Sequence, residues 1–398
     1  MNLLLNILGV TVVLLIIYAL SYKRKALNLR LIGRSLLLQL VLAIILVKIP
    51  AGIWIVEQIG NILTKIVSYS HEGLQFVCGS LIEPTGPAGF IFIVQVLGTI
   101  IFVGSLVSVL AYLGILSWII AKLGRLVGLL TGCSQLEGFV STANVFLSDT
   151  ESPLMMSRYL QFMTRSEIMV MLVSGMGSMS ISILGGYIAM GIPARYLIIA
   201  GAMVPFASLA VSKILLPEQE TPKTVEEIRY ENKATNIIEA IANGAMDGMQ
   251  MVIAIAASII AIISMVALIN GTLENFGIRL EEILSWVFSP FGYLMGLDAD
   301  LPQLAGKLLG CKIILTEFIS FDILGKIIST MDERTAMMLS IACSGFANVS
   351  SMAICVSGIS ALCPGMKPVL SELVFKGMLG GFAVSIINAM LVGIVMWF

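Results

Sequence analysis

The chain has 398 residues, of which 58% are hydrophobic and only 12% charged, with a formal net charge of -1. A mean hydropathy of +1.01 excludes an ordinary soluble domain, in which roughly a quarter of residues are charged, and with no lysine or arginine run approaching a basic patch, nucleic acid is not expected as a partner. Six cysteines without a C-x-x-C pair, and the single histidine His71, point away from a disulfide framework, a zinc site or a serine-histidine triad.

Apolar runs of about 18 or more residues suffice for a helix rising about 1.5 Å per residue to cross a hydrocarbon core of roughly 30 Å. The chain therefore reads as an all-α polytopic membrane protein. The first run, Leu3 to Leu20, has no positive residue before it and no small-x-small cleavage site, so it reads as a retained span rather than a signal. The densest basic cluster follows, Lys23, Arg24, Lys25, Arg30 and Arg34, and the positive-inside rule puts it in the cytoplasm and the N-terminus outside. Further spans are expected near Leu36 to Ile49, Ile91 to Leu113, Ile168 to Ile192, Tyr196 to Leu216, Met246 to Ile269, Met337 to Leu362 and Leu370 to Phe398, eight in all. Two segments, Ala51 to Gly73 and Ile283 to Leu297, have the amphipathic or proline-broken pattern of interfacial helices. The polar stretch from Pro217 to Asn236 reads as a solvated loop or short helix.

Two apolar stretches are too short on either side of a polar break to span. Gly138 to Leu147 meets the break Ser148 to Pro153, and Leu304 to Leu315 meets Thr316 to Phe318. Runs of about 10 to 14 apolar residues suit re-entrant segments. With each span crossing once, the first hairpin enters from inside and the second from outside, the layout of an inverted repeat. Because an ionised carboxylate at membrane depth is costly unless it faces a cavity, a partner or a substrate, Asp149, Glu151 and Glu317 are candidate functional groups. Asn348 and Ser351 share a helical face and serve either as interhelical hydrogen-bond glue or as substrate contacts. The run Ser174 to Ser182 reads as a site of close helix packing.

Several ordered landmarks, "GRSLLLQLVLAIIL", "LEGFVSTANVFLSDTESPL", "SGMGSMSISILGGYIAMGIP", "LSWVFSPFGYLMG", "TEF" and "CSGFANVSSMAI", together resemble the concentrative nucleoside transporter family, including its bacterial members, over almost the whole chain. The resemblance implies a homotrimer in the cytoplasmic membrane, with a scaffold and a mobile transport part that carries its own nucleoside site across the bilayer as an elevator, and coupling to sodium or protons with no other cofactor. It also implies a division into a scaffold part (1–133), a first transport repeat (134–216), a polar loop with a scaffold span and an interfacial helix (217–300), and a second transport repeat (301–398). For the substrate it implies Ser148, Asp149, Thr150, Glu151 and Ile183 on the base side, and Glu317, Phe346, Asn348 and Ser351 on the ribose side. For sodium it implies the Asn144 side chain, the Leu147 carbonyl, Ser178 and Ser182, all able to offer the oxygens that a hard cation takes.

The chain departs from the family at the first hairpin tip, where Ser148-Asp149-Thr150-Glu151 stands for the usual Gly-Gln-Thr-Glu or Gly-Gln-Ser-Glu, and at Thr316, where the family has asparagine. Aspartate is acceptor-only. Asp149 therefore favours a base with adjacent donors, such as the N1-H and 2-amino edge of guanine, or else acts as a protonatable coupling group beside Glu151. Outside this reading stand a channel or a transporter for another small polar solute, which re-entrant hairpins also permit, and an intramembrane enzyme, for which no H-E-x-x-H, G-x-S-x-G or paired-aspartate motif is present.

Overall fold

The computed structural model describes residues 2–83, 86, 89–147, 151–156, 159–222, 234–298 and 300–398, with the side chains of Glu151 and Leu154 excepted. The described residues form helices and no strands. The N-terminal part consists of α1 (Asn2–Ala19), α2 (Leu29–Val47), α3 (Pro50–Cys78) and α4 (Gly98–Tyr112), the last entered through a π-helical turn at Ile93–Leu97. There follow α5 (Ile115–Thr131), α6 (Gln135–Phe146), α7 (Glu151–Met155), α8 (Arg165–Gly177), α9 (Ile181–Ala189) and α10 (Ala194–Leu215). The second half contains α11 (Ile237–Leu273), α12 (Leu280–Leu294), α13 (Leu301–Ile314), α14 (Glu317–Ile327), α15 (Glu333–Cys343), α16 (Val349–Leu362) and α17 (Lys367–Val395).

The two halves repeat one order of elements: a helix, a pair of shorter helices that are the expected hairpin arms, a broken span, then a long helix. In the first unit these are α5, α6–α7, α8–α9 and α10, and in the second α12, α13–α14, α15–α16 and α17. Each hairpin leans on the helix before it through a glycine. A Cβ on Gly138 of α6 would lie 2.5 Å from the Gly124 carbonyl of α5, and one on Gly306 of α13 would lie 2.3 Å from the Ser285 carbonyl of α12. Small residues at such crossings let backbones approach where lipid supplies no hydrophobic drive. The long helices α10 and α17 are buried over most of their length, while in the apolar α11 only Ala240, Gly244, Gly248, Val252 and Val266 are buried, so its outer faces are available to lipid or another chain.

Caps explain where helices begin. Asn28 accepts from Leu31 N (3.2 Å) and Asn236 accepts from Glu239 N (2.9 Å), satisfying amides that the first turn leaves free. Hence α2 starts seven residues before the expected Leu36 and α11 nine before the expected Met246. The 37 residues of α11 extend about 55 Å at 1.5 Å each. At the base of the first hairpin two capping boxes stand side by side, Ser134 with Glu137 and Thr164 with Glu167, joined by Ser134 Oγ donating to Glu167 Oε1 at 2.6 Å. Lys213 of α10 ion-pairs with Glu137 and donates to Ser166 Oγ at 2.7 Å.

Among the described residues, seven helical stretches are long and apolar enough to cross a membrane. The seventh expected span, Met337 to Leu362, is two shorter helices, α15 and α16, parted by an irregular stretch at 344–348. The expected span Ile168 to Ile192 is likewise interrupted, between Gly177 and Ile181. The segment Ala51 to Gly73 lies within the 29-residue α3, and Ile283 to Leu297 falls mostly within α12. Helix α5 answers to no expected element, because Lys122 and Arg125 interrupt its apolar run.

Candidate functional site

The two interruptions meet back to back. Gly345 has φ +88°, a left-handed backbone that a side chain would strain, and a Cβ there would lie 2.8 Å from the Gly177 carbonyl. One residue on, Phe346 N donates to Ser178 O at 3.1 Å. Backbone freed from one helix thus satisfies backbone freed from the other, as buried polar groups require.

Beside this crossing lies a cavity of about 530 Å³, a size typical of small-molecule sites. Glu317, the first residue of α14, faces it from the second hairpin, with Thr316 and Phe318 as neighbours. The α15–α16 break supplies Phe346 and Asn348, the first turn of α16 supplies Ser351, and α9 supplies Ile183. Helix α11 closes the far wall with Asp247, Gln250, Met251 and Ser258.

The Glu317 carboxylate is buried and held from two directions. Tyr187 of α9 donates its hydroxyl to Oε1 and Asn348 donates Nδ2 to Oε2, both at 3.1 Å. Asn348 is itself fixed, because its Oδ1 caps α16 by accepting from Ser351 N at 2.8 Å. A carboxylate at a helix N-terminus also lies at the positive end of the helix dipole. With two donors already on it, the group keeps acceptor lone pairs for a ligand. Thr316 Oγ1 is buried without a partner among the described residues. The other walls, Ile183, Phe346, Phe318 and Met251, suit an apolar or aromatic face. The cavity is therefore chemically mixed: Glu317, Asn348 and Ser351 offer groups that suit hydroxyls, Ile183, Phe346, Phe318 and Met251 form an apolar face, and Asp247, Gln250 and Ser258 add polar groups on the α11 wall.

A second, oxygen-rich patch lies where the end of α6 meets α8 and α9. Asn144 is fully buried, and its Nδ2 donates to Ser174 Oγ (2.7 Å) and the Met171 carbonyl (3.3 Å). Its Oδ1 has no partner among the described residues, nor have Ser152 Oγ and Ser180 Oγ. Ser178 Oγ donates to Gly175 O at 3.2 Å, leaving the oxygen free to accept, and Ser182 is buried at the start of α9. Leu147 caps α6 in an extended conformation that ends the helix.

Of the residues singled out in the sequence, Ile183, Glu317, Phe346, Asn348 and Ser351 thus line one cavity, while Asn144 and Leu147 at the end of α6 and Ser178 and Ser182 around the α8–α9 interruption lie outside its lining. Ser148, Asp149 and Thr150 lie outside the described residues, as does the side chain of Glu151, whose backbone opens α7.

Comparison with known proteins gives this geometry a context. The family described as "Na+ dependent nucleoside transporter C-terminus" matches residues 196–393, its N-terminal counterpart matches 8–81, and a family described as "Nucleoside recognition" matches 93–194. The nucleoside permease NupC of Helicobacter pylori is 32% identical, over 98% of this chain and 97% of its own. The chain belongs to the concentrative nucleoside transporter family. Sodium/nucleoside cotransporter 1 of Mus musculus is 31% identical over 97% of this chain, which spans 63% of that longer protein. Among solved structures, the transporter CNTnw in an inward-facing substrate-bound state aligns over 100% of this chain and 99% of its own, with 31% identity and a TM-score of 0.94. An outward-facing variant of CNTnw gives 0.95 over 100% and 99%, also at 31% identity. This member of a nucleoside transporter family is accordingly a multi-pass membrane protein and not an enzyme.

Sequence reasoning passed over four polar side chains of this transporter. Tyr187 sits in an apolar run with no polar neighbour to draw attention to it, although a buried phenol ordinarily needs a hydrogen-bond partner. Asp247 and Gln250 stand near the start of the expected sixth span, and Lys312 stands in mid-run before "TEF". A search for every charge inside an apolar stretch, not only for acids, finds both Asp247 and Lys312.

Proposed function

We propose that the chain is a sodium-coupled nucleoside symporter of the cytoplasmic membrane, binding one nucleoside in the cavity at Glu317. The observation that carries this reading is the buried Glu317 carboxylate, oriented by Tyr187 and Asn348 and facing a cavity in which Ile183 and Phe346 offer an apolar face. Ribose hydroxyls donate to Glu317 and exchange hydrogen bonds with Asn348 and Ser351, while the base lies against Ile183 and Phe346. Sodium is carried in the patch formed by the Asn144 side chain, the Leu147 carbonyl, Ser178 and Ser182. Asn144 Oδ1, buried without a partner among the described residues, supports this assignment, since a hard cation takes such oxygens. The acceptor-only Asp149 at the first hairpin tip gives a preference for guanosine and inosine, with Ser148, Thr150 and Glu151 completing the base side.

The two units are inverted across the bilayer, their hairpins entering from opposite faces, with the N-terminus outside. They move together as an elevator within a homotrimer whose scaffold contains α3 and α11, the helices with exposed apolar faces that support this role. Uptake of labelled guanosine, inosine, adenosine and uridine into reconstituted vesicles tests the reading. Accumulation driven by an inward sodium gradient is expected, with guanosine the strongest competitor. Accumulation that follows a proton gradient and ignores sodium moves the coupling to Asp149, and flux that never exceeds equilibrium makes the protein a channel.

A further inference from the structure

The repeated units match residue by residue at two places in their hairpins. Glu151 and Glu317 are the first residues of α7 and α14, and Asn144 and Lys312 each stand third from the end of the preceding arm, α6 and α13. Both of the latter side chains reach the broken span of their own unit. Asn144 reaches α8, and its Oδ1 has no partner among the described residues. Lys312 is fully buried and donates to the Ala342 carbonyl (3.0 Å), the Ser344 carbonyl and Ser385 Oγ (2.7 Å).

The three partners define the protonation of the lysine. Backbone carbonyls only accept, and Ser385 Oγ gives its own hydrogen to the Phe382 carbonyl at 2.9 Å. Three acceptors converging on one nitrogen match an ammonium, which has three donors, and mismatch a neutral amine, whose lone pair would face an oxygen. The Phe382 ring, 5.8 Å from Nζ, adds a face that attracts a cation. Ala342 and Ser344 flank the C-terminus of α15, where unpaired carbonyls concentrate negative potential. Among the described residues no carboxylate forms an ion pair with Lys312.

We propose that Lys312 is a tethered cation that occupies, in the second unit, the position that a carried sodium occupies in the first. The comparison with sodium rests on the reading of the Asn144 patch above; the assignment of Lys312 as a fixed charge does not. One unit has a helix break whose charge comes and goes with the ion, and the other has a break that is permanently charged. Lys312 is thus a positioning residue. It holds the Ser344 to Asn348 stretch, and through Asn348 it keeps the donor on Glu317 in place whether or not sodium is bound.

The test uses the purified full-length chain, read first by thermal unfolding in detergent and then by guanosine uptake in vesicles. Lys312→Ala is expected to lower the Tm by at least 5 °C, and tens of millimolar ethylammonium to restore at least half of that shift, whereas equal ethanol or choline restores none. Lys312→Met, which has similar length but no charge, is expected to lower uptake at least tenfold. Should Lys312→Ala not be recovered folded, Lys312→Arg is compared with Lys312→Gln, and the charged variant is expected to retain more of the wild-type Tm. Wild-type behaviour of Lys312→Met, rescue by ethanol as well as ethylammonium, or a Gln variant equal to the Arg variant overturns the proposal. Absence of nucleoside uptake by the wild type counts against the symporter reading alone, because the unfolding experiment needs no substrate.

Discussion

At the α8–α9 break the buried oxygens of Asn144 and Ser180 have no partner among the described residues, whereas at the α15–α16 break two backbone carbonyls are taken by the Lys312 ammonium and Asn348 is committed at both ends of its amide. The same order of helices therefore supports two chemical states. The first break is open to a small oxygen-seeking guest, and the second is already satisfied and serves as a fixed wall for the cavity. Repetition of a fold does not require repetition of charge. What repeats is the problem of feeding backbone groups where a helix stops inside an apolar bundle; Lys312 answers it in the second unit, whereas Asn144 bonds the Met171 carbonyl and Ser174 Oγ within α8.

The largest effect expected from breaking this comparison is at the base of the first hairpin. Lys213→Met leaves the buried Glu137 without its cation and should cost about 3–5 kcal/mol of stability, read as a large fall in Tm with little change of nucleoside affinity in whatever protein survives. Glu317→Gln removes the acceptor charge that Tyr187 and Asn348 orient. Loss of a charged hydrogen bond worth about 1.5–3 kcal/mol should weaken guanosine binding roughly 10- to 100-fold, with less effect on 2′,3′-dideoxyguanosine. Equal losses for both ligands would separate Glu317 from the ribose.

Gly345→Ala probes the contact between the breaks. The left-handed backbone and the close Gly177 carbonyl set a cost of about 1–3 kcal/mol, and differential scanning fluorimetry should show both a lower Tm and a smaller stabilisation by sodium. Least is expected from Tyr187→Phe, which keeps the ring contacts with Phe318 and Phe321 at 5.0 and 4.4 Å and loses one donor. A change of about 0.5–1.5 kcal/mol, some two- to tenfold in guanosine affinity, is the expected result of a binding titration.

How legible these features are in the sequence depends on whether a residue is unusual for its surroundings. Glu317 stands out because an acid inside an apolar run is expensive, and it does face the cavity. Ser178 and Phe346 stand in runs of small and apolar residues, so the resemblance rather than the chemistry of the chain brings them forward. Tyr187 is invisible for the same reason: one phenol among aliphatic residues looks like packing until Glu317 arrives from 130 residues away. The broken span at Ser344 to Asn348 reads as continuous because serine, glycine and asparagine are ordinary in membrane helices. Only the φ of Gly345 and its abutment on Gly177 reveal the stop. Helices α2 and α11 begin about two turns earlier than their apolar runs, because Asn28 and Asn236 cap them.

The hydrogen bond from Phe346 N to Ser178 O joins a residue of the proposed nucleoside site to one of the proposed sodium site by a single peptide contact. Any ligand that fixes the Ser178 carbonyl also fixes the orientation of the peptide that leads to Asn348, and the reverse is equally true. Thermodynamic linkage then demands reciprocity: the factor by which sodium tightens nucleoside binding is the factor by which nucleoside tightens sodium binding. Loading either ligand alone leaves a weaker complex than the pair, so a carrier built this way favours moving full or empty over moving half-loaded.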